Sequence, residues 1–213
     1  MIDTILFDVD GTLLDTEYVM TESLSRALKK VSNLNVPLEN LEFILGIPGV
    51  EAVKRFSKSN EEKDQILRVW NQYVKELSSQ VQLFDGVVDL LNHLKLKGLR
   101  LGIVTSKTKK EMITEFNKFK INNYFEVIIT ASDTERHKPF PDPILKAIEV
   151  LGSTSDKTIY LGDSVYDMRS SNESNVLFAL AAWGAKDNEA FESVSFVLHK
   201  PEDLIKLIEA QGW

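Results

Sequence analysis

The spacing of apolar positions changes twice along the chain, and the changes divide it into three stretches. Ile2, Thr4, Ile5, Leu6 and Phe7 form a short, mostly apolar run, the pattern of a strand buried on both faces. It stops at Asp8-Val9-Asp10-Gly11-Thr12. From about residue 16 to about 81 the period is helical and no segment reads as a strand. Val19, Leu24, Ala27, Leu28 and Val31 mark a first helix, with Asp15 or Thr16 as its cap. Pro37 opens a second with Leu38, Leu41, Ile44 and Leu45 on its apolar face, and Gly46-Ile47-Pro48-Gly49 breaks it. Val50, Val53 and Phe56 suit a short helix, and Ser59-Asn60-Glu61-Glu62 starts another carrying Ile66, Val69, Trp70, Tyr73, Val74 and Leu77.

From Phe84-Asp85-Gly86 onward strands alternate with helices. The pattern predicts a helix over Val87–Leu96 closed by Gly98, a strand over Leu99–Thr105, and a lysine-rich helix with Met112, Ile113, Phe116 and Phe119 on its apolar side. A strand over Phe125–Thr130, a helix over Pro143–Leu151 and a strand over Thr158–Gly162 follow. Val176–Ala182 and Phe196–Leu198 are the last strands, and Pro201–Ala210 the terminal helix. Such alternation builds a parallel sheet covered on both faces. The expected fold is therefore α/β, a Rossmann-like, doubly wound parallel sheet core made of residues 1–15 and 82–213, interrupted by an α-helical domain at 16–81.

Composition narrows the chemistry. At 213 residues, 43% hydrophobic and 27% charged, the chain can bury a core and needs no unusual support. A net charge of -7 offers no basic footprint for nucleic acid or an anionic membrane. With no cysteine, disulfides and thiolate metal sites are excluded. No basic leader opens the sequence, and no apolar run approaches the ~20 residues of a spanning helix. A cytoplasmic, monomeric protein is the expectation.

Polar groups gather where strands end. Asp8 and Asp10 close the first strand, Thr105 and Ser106 the second, Asp163 the fourth, and Lys138 lies in the loop after the third. In open α/β sheets ligands bind at the carboxyl ends of the strands, so these groups are expected in one place. Asp8 and Asp163 can share Mg²⁺, a cation that prefers oxygen ligands. A carboxylate beside it can serve as a nucleophile toward phosphorus. A second carboxylate two residues on can protonate the leaving group. Lys138, the Thr105 hydroxyl and backbone amides would hold the phosphoryl oxygens.

Asp8-Val9-Asp10-Gly11-Thr12, Thr105-Ser106, Lys138-Pro139-Phe140-Pro141-Asp142-Pro143 and Gly162-Asp163-Ser164-Val165-Tyr166-Asp167 resemble the four ordered motifs of the haloacid dehalogenase superfamily. The resemblance spans nearly the whole chain. The helical block before Phe84 is similar to the small α-helical cap of the phosphoglycolate phosphatase and β-phosphoglucomutase branch. It implies that Asp8 is the nucleophile and a Mg²⁺ ligand, and that Asp10 is the general acid and base, lending its backbone carbonyl to the metal. By the same resemblance Asp163 would be the further metal ligand, and Asp167 would orient Lys138 or a metal-bound water. Thr105, the Ser106 amide and Lys138 would bind phosphate. The family's dehalogenases lack the second aspartate, so Asp10 favours phosphate chemistry.

The implied activity is a Mg²⁺-dependent phosphatase acting on a small phosphorylated metabolite through an aspartyl phosphate. A pyrophosphatase would use the same core. A sugar phosphomutase is disfavoured, because its relatives follow the Gly-Ile turn of the cap with a serine and an arginine where this chain has Pro48 and Gly49. A catalytically idle scaffold is disfavoured because every expected acid is present. Other polar and aromatic residues have plainer expectations. Lys107, Lys109 and Lys110 are expected to form a solvated helix face, and Lys54 and Arg55 to lie on the surface. Trp70 and Tyr73 are expected in the core of the helical domain, Trp183 against the sheet end, and His137 in no catalytic role.

Overall fold

The computed structural model describes residues 1–45, 47–186 and 191–212. The elements in chain order are β1 (Thr4–Phe7), β2 (Leu14–Asp15), α1 (Glu17–Ser32), α2 (Gly49–Val53), α3 (Asn60–Leu77), β3 (Gln82–Leu83), α4 (Val87–Leu96), β4 (Arg100–Val104), α5 (Lys109–Glu111), β5 (Val127–Ile129), α6 (Asp142–Leu151), β6 (Thr158–Gly162), α7 (Val165–Glu173), β7 (Leu177–Ala181), β8 (Phe196–Leu198) and α8 (Glu202–Gln211).

Six strands form one parallel sheet in the order β5-β4-β1-β6-β7-β8. The α/β Rossmann-like core is thus present. Because strand side chains alternate faces, Ile5 and Phe7 join Leu101, Ile103, Ile159 and Leu161 in a cluster under α4 and α8. Leu6 turns the other way, toward Tyr160, Phe178 and the apolar faces of α6 and α7. The register sets Phe7 opposite both Ile103 and Leu161, so β1, β4 and β6 end level with one another. The chain winds outward from β1 in both directions, which makes this edge the topological switch point.

The helices between Glu17 and Leu77 bury a cluster of their own, including Leu24, Leu28, Leu41, Ile66 and Trp70. Trp70 belongs to it, and Tyr73 packs against it half-buried. The stretch after Pro37 is two turns of 3₁₀ helix, Leu38–Asn40 and Glu42–Ile44, in place of the expected continuous helix. Only Leu41 and Ile44 of its four apolar residues are fully buried, and their spacing of three matches the tighter helix. Gly46, part of the expected break, lies outside the described residues. Gly49 starts α2 against Trp70, and a Cβ there would approach the indole to 3.2 Å.

The two crossings between sheet and helices run side by side. Leu14 pairs with Leu83 and Asp15 with Gln82 in an antiparallel ribbon, two residues a strand and so too short to show a period. Thr16 takes the cap position of α1 without a side-chain capping bond, and Asp15 belongs to the ribbon. The lysine-rich helix also departs from expectation. Its α turn passes into a π turn over Met112–Phe116 and a 3₁₀ turn over Asn117–Phe119. Met112 and Phe116 are buried, whereas Ile113, one step round the helix, is 60% exposed.

Candidate active site

The level strand ends deliver Asp8 directly after β1, Thr105 after β4 and Asp163 after β6. Asp8 stays tied to the sheet through its amide, which donates to the Leu161 carbonyl at 2.9 Å, and the Thr105 amide donates to Ile129 at 3.0 Å. Past Asp10 the chain reverses at Gly11, whose φ of +78° suits glycine, and the Gly11 amide donates to the Leu14 carbonyl at 2.8 Å. A Cβ at Gly11 would fall 2.2 Å from Asp163 Oδ2. The glycine is therefore what lets the Asp163 carboxylate lie against this turn, where Thr12 Oγ1 donates to its Oδ1 at 2.9 Å.

Asp167 enters from α7. Ser164 and Asp167 cap that helix reciprocally, the Asp167 amide donating to Ser164 Oγ at 3.2 Å and the Ser164 amide to Asp167 Oδ2 at 3.0 Å. A Cβ at Gly162 would meet that of Asp167 at 2.6 Å, so the glycine ending β6 admits the helix at this depth. Lys138 reaches in from the loop between β5 and α6, its side chain 1% exposed. Its Nζ lies 2.6 Å from Asp167 Oδ1, 2.9 Å from Asp8 Oδ1 and 3.2 Å from the Tyr160 hydroxyl. Lys138 is no surface lysine, and Asp167 is the nearest of its three polar partners.

Asp8, Asp163 and Asp167 are all buried, and each offers a carboxylate oxygen within 4.8 Å of the others. Burial, together with Asp167 and Asp10, pushes the Asp8 carboxyl up to about 7 against the opposing pull of Lys138. Burial, then Asp167 and Asp8, holds Asp163 well above the usual carboxylate range. Burial works against the Lys138 charge, but Asp167 and Asp8 outweigh it and keep the lysine above its ordinary value. One ammonium among three buried carboxylates leaves an excess of negative charge. The set consists of hard oxygen donors, and a divalent cation suits both its charge and its chemistry. Asp167 spends its oxygens on Lys138, Tyr160 and Ser164, whereas Asp8 Oδ1 accepts no well-directed hydrogen bond.

Asp10 is half-buried and pairs outside that cluster. Its Oδ2 lies 3.0 Å from Lys107 Nζ, and Lys107 lies 2.7 Å from Glu115 Oε2. Lys107 is thus buried and paired, contrary to the solvated face expected of it. Thr108 caps α5 through a reciprocal box with Glu111, so the helix starts after Lys107 and only Lys109 and Lys110 are exposed on it. Thr105 is buried, and Ser106 follows half-buried. Trp183 Nε1 donates to the Thr12 carbonyl at 3.0 Å, and its ring meets Phe84 edge-on, which anchors the sheet end as expected. Gly184 behind it approaches so closely that a Cβ would lie 1.8 Å from the Gly11 carbonyl oxygen. Arg55 stacks on Phe43 and Lys54 pairs with Glu51, both outside the site. His137 is half-buried, with Nδ1 unpartnered among the described residues.

Sequence reasoning missed Lys107, Glu115, Tyr160 and Gly184. Only the Ser164-x-x-Asp167 spacing, a capping-box pattern, carried a local signal for part of the network.

The haloacid dehalogenase-like hydrolase family model matches residues 5–181. The chain belongs to this family. Among its relatives are Pyrophosphatase PpaX of Oceanobacillus iheyensis, 32% identical over 211 residues with 97% of each chain covered, and that of Bacillus mycoides, 27% identical with the same coverage. A solved structure from Lactobacillus plantarum, assigned as a phosphoglycolate phosphatase, is 27% identical with a TM-score of 0.87, covering 97% of this chain and 100% of that one. CbbY of Rhodobacter sphaeroides, solved with phosphate, shares the fold at 22% identity, a TM-score of 0.82 and 96% coverage of each chain. Among the described residues of this HAD-family hydrolase no helix is long and apolar enough to cross a membrane.

Proposed function

We propose that this hydrolase transfers a phosphoryl group from a small phosphorylated compound to Asp8 and then to water, with Mg²⁺ as its metal. The observation that carries the proposal is the preassembled trio of buried carboxylates around Lys138 at the switch point of the sheet. Asp8 and Asp163, with the Asp10 backbone carbonyl, would hold the cation. When bound, Mg²⁺ would supply the positive charge that keeps Asp8 ionised and offsets the charge on the phosphoryl oxygens.

Asp8 attacks phosphorus, the bond to the leaving oxygen breaks, and an aspartyl phosphate forms. Asp10 gives a proton to that oxygen, then takes one from the water that attacks the intermediate. The Thr105 hydroxyl, the Ser106 amide and Lys138 hold the phosphoryl oxygens. Asp167 fixes Lys138, which it reaches at 2.6 Å. Residues 16–81 act as a cap over the site, and a crevice of about 100 Å³ where they meet the core, lined by Gly11, Glu17, Leu45, Phe84 and Trp183, suits a small leaving group.

Inorganic pyrophosphate is the second candidate substrate. It is favoured by the relative named a pyrophosphatase at 32% identity, and its leaving group is itself a phosphate. Pro48 and Gly49 stand where the mutases of this branch carry a serine and an arginine, which counts against a mutase.

The test is metal-dependent phosphate release from p-nitrophenyl phosphate, pyrophosphate and a panel of phosphorylated metabolites, with and without EDTA. Wild type should turn over in Mg²⁺ alone, and Asp8→Asn should form no phosphoenzyme. Absence of metal-dependent release from folded wild type across the panel, or a phosphoenzyme trapped in Asp8→Asn, would overturn the assignment.

A further inference from the structure

Lys107 is held on every side. Its amide donates to Thr105 Oγ1 at 3.2 Å, the helix cap begins at the next residue, and its side chain is 6% exposed. The ammonium sits between Asp10 Oδ2 at 3.0 Å and Glu115 Oε2 at 2.7 Å. Asp10 Oδ1, by contrast, is buried with no hydrogen-bond partner among the described residues. One oxygen of Asp10 is therefore tied and the other is unpaired.

We propose that Lys107, itself held by Glu115, is a positioning residue that locks the Asp10 carboxyl so that Oδ1 is presented for proton transfer. The proposal rests on the assignment of Asp10 as the acid and base given above. A carboxyl group turns easily about its terminal torsion, and proton transfer requires the acceptor within about 3 Å. An ammonium fixed by a second carboxylate removes that freedom. Because two carboxylates within 3.0 Å already occupy Lys107, it is poorly placed to bind a substrate anion. In the first half-reaction the proton leaves Asp10 Oδ1 for the leaving oxygen as its bond to phosphorus breaks and the bond from Asp8 forms. In the second, Oδ1 takes a proton from water as the water oxygen bonds to phosphorus and Asp8 departs.

The need for that proton depends on the leaving group. p-Nitrophenolate departs without one, whereas phenolate from phenyl phosphate depends on it more. The experiment measures kcat and KM for both esters in Mg²⁺ with wild type, Asp10→Asn, Lys107→Met, Lys107→Arg and the double variant Lys107→Met with Glu115→Met, the last removing the carboxylate that would be left unpaired. Folding is checked by circular dichroism. In Lys107→Met and in the double variant, kcat/KM, which reports the first half-reaction and not the hydrolysis shared by both esters, should fall on phenyl phosphate roughly tenfold or more beyond its fall on p-nitrophenyl phosphate. Lys107→Arg should recover part of the loss. Equal losses of kcat/KM on both esters would overturn the proposal while Asp10→Asn still discriminates between them. If Asp10→Asn does not discriminate, the assignment of Asp10 fails and the proposal fails with it.

Discussion

Replacing Lys138 with Met removes the only ammonium within hydrogen-bonding distance of Asp8 and Asp167 among the described residues, and the consequence can be worked out before any activity is measured. The side chain is 1% exposed and Met has nearly its length, so the variant loses charge with little change of volume. Breaking a buried ion pair from one side costs roughly 3–5 kcal/mol, because the remaining charge is stranded. That is a large part of the ~5–15 kcal/mol that holds a typical fold. For a chain of this length it corresponds to a melting temperature lowered by about 6–20 °C.

The cost should depend on pH. The Asp8 carboxyl is pushed up to about 7 in the folded protein from 3.8 in the unfolded chain, so between those values the folded state binds more protons. Stability of the metal-free protein therefore falls as pH rises through that window. Lys138 is the group that lowers the Asp8 value, and removing it extends the decline to higher pH. The deficit of Lys138→Met should be largest at pH 8 and smaller at pH 5, where Asp8 is protonated in both proteins. Urea and thermal melts in EDTA at the two pH values test this. A deficit below about 1 kcal/mol at pH 8, or one equal at both pH values, would refute the reasoning.

Mg²⁺ added to wild type should raise the melting temperature more at pH 8 than at pH 6, because protons compete for the raised carboxyls of Asp8 and Asp163; differential scanning fluorimetry reads the difference. Gly11→Ala combines a left-handed backbone, costing about 1–2 kcal/mol, with a Cβ 2.2 Å from Asp163 Oδ2. It should weaken Mg²⁺ binding about tenfold or more by calorimetric titration. Gly184→Ala places a methyl 1.8 Å from the Gly11 carbonyl oxygen. Because backbone must move to relieve that contact, it should cost about 1–3 kcal/mol in a urea melt and lower kcat, and an unchanged melt would show that this approach is not required.

The apolar runs that become β1, β4 and β6 were legible because a strand buried on both faces has little freedom in composition. The acids and hydroxyls at their carboxyl ends followed, since parallel strands all point one way. Asp8, Asp163 and Thr105 could thus be placed on one edge from sequence alone, and the ordered motifs added Lys138 and Asp167. The strand order β5-β4-β1-β6-β7-β8 was not legible, because which strand pairs with which depends on packing between distant segments. Nor was the two-residue ribbon of β2 and β3, which is too short to show a period.

Lys107 shows the limit most plainly. In sequence it belongs to a lysine-rich run that looks solvated, and whether a lysine is buried depends on the carboxylates it meets, here Asp10 from β1's loop and Glu115 from a helix. The chemical character of the site was written locally, in residue types at strand ends. Tertiary structure alone decided which charges are paired, which oxygen of Asp10 is left unpaired, and how closely Gly184 presses on Gly11, because each depends on through-space distances of a few ångströms between segments far apart in the chain.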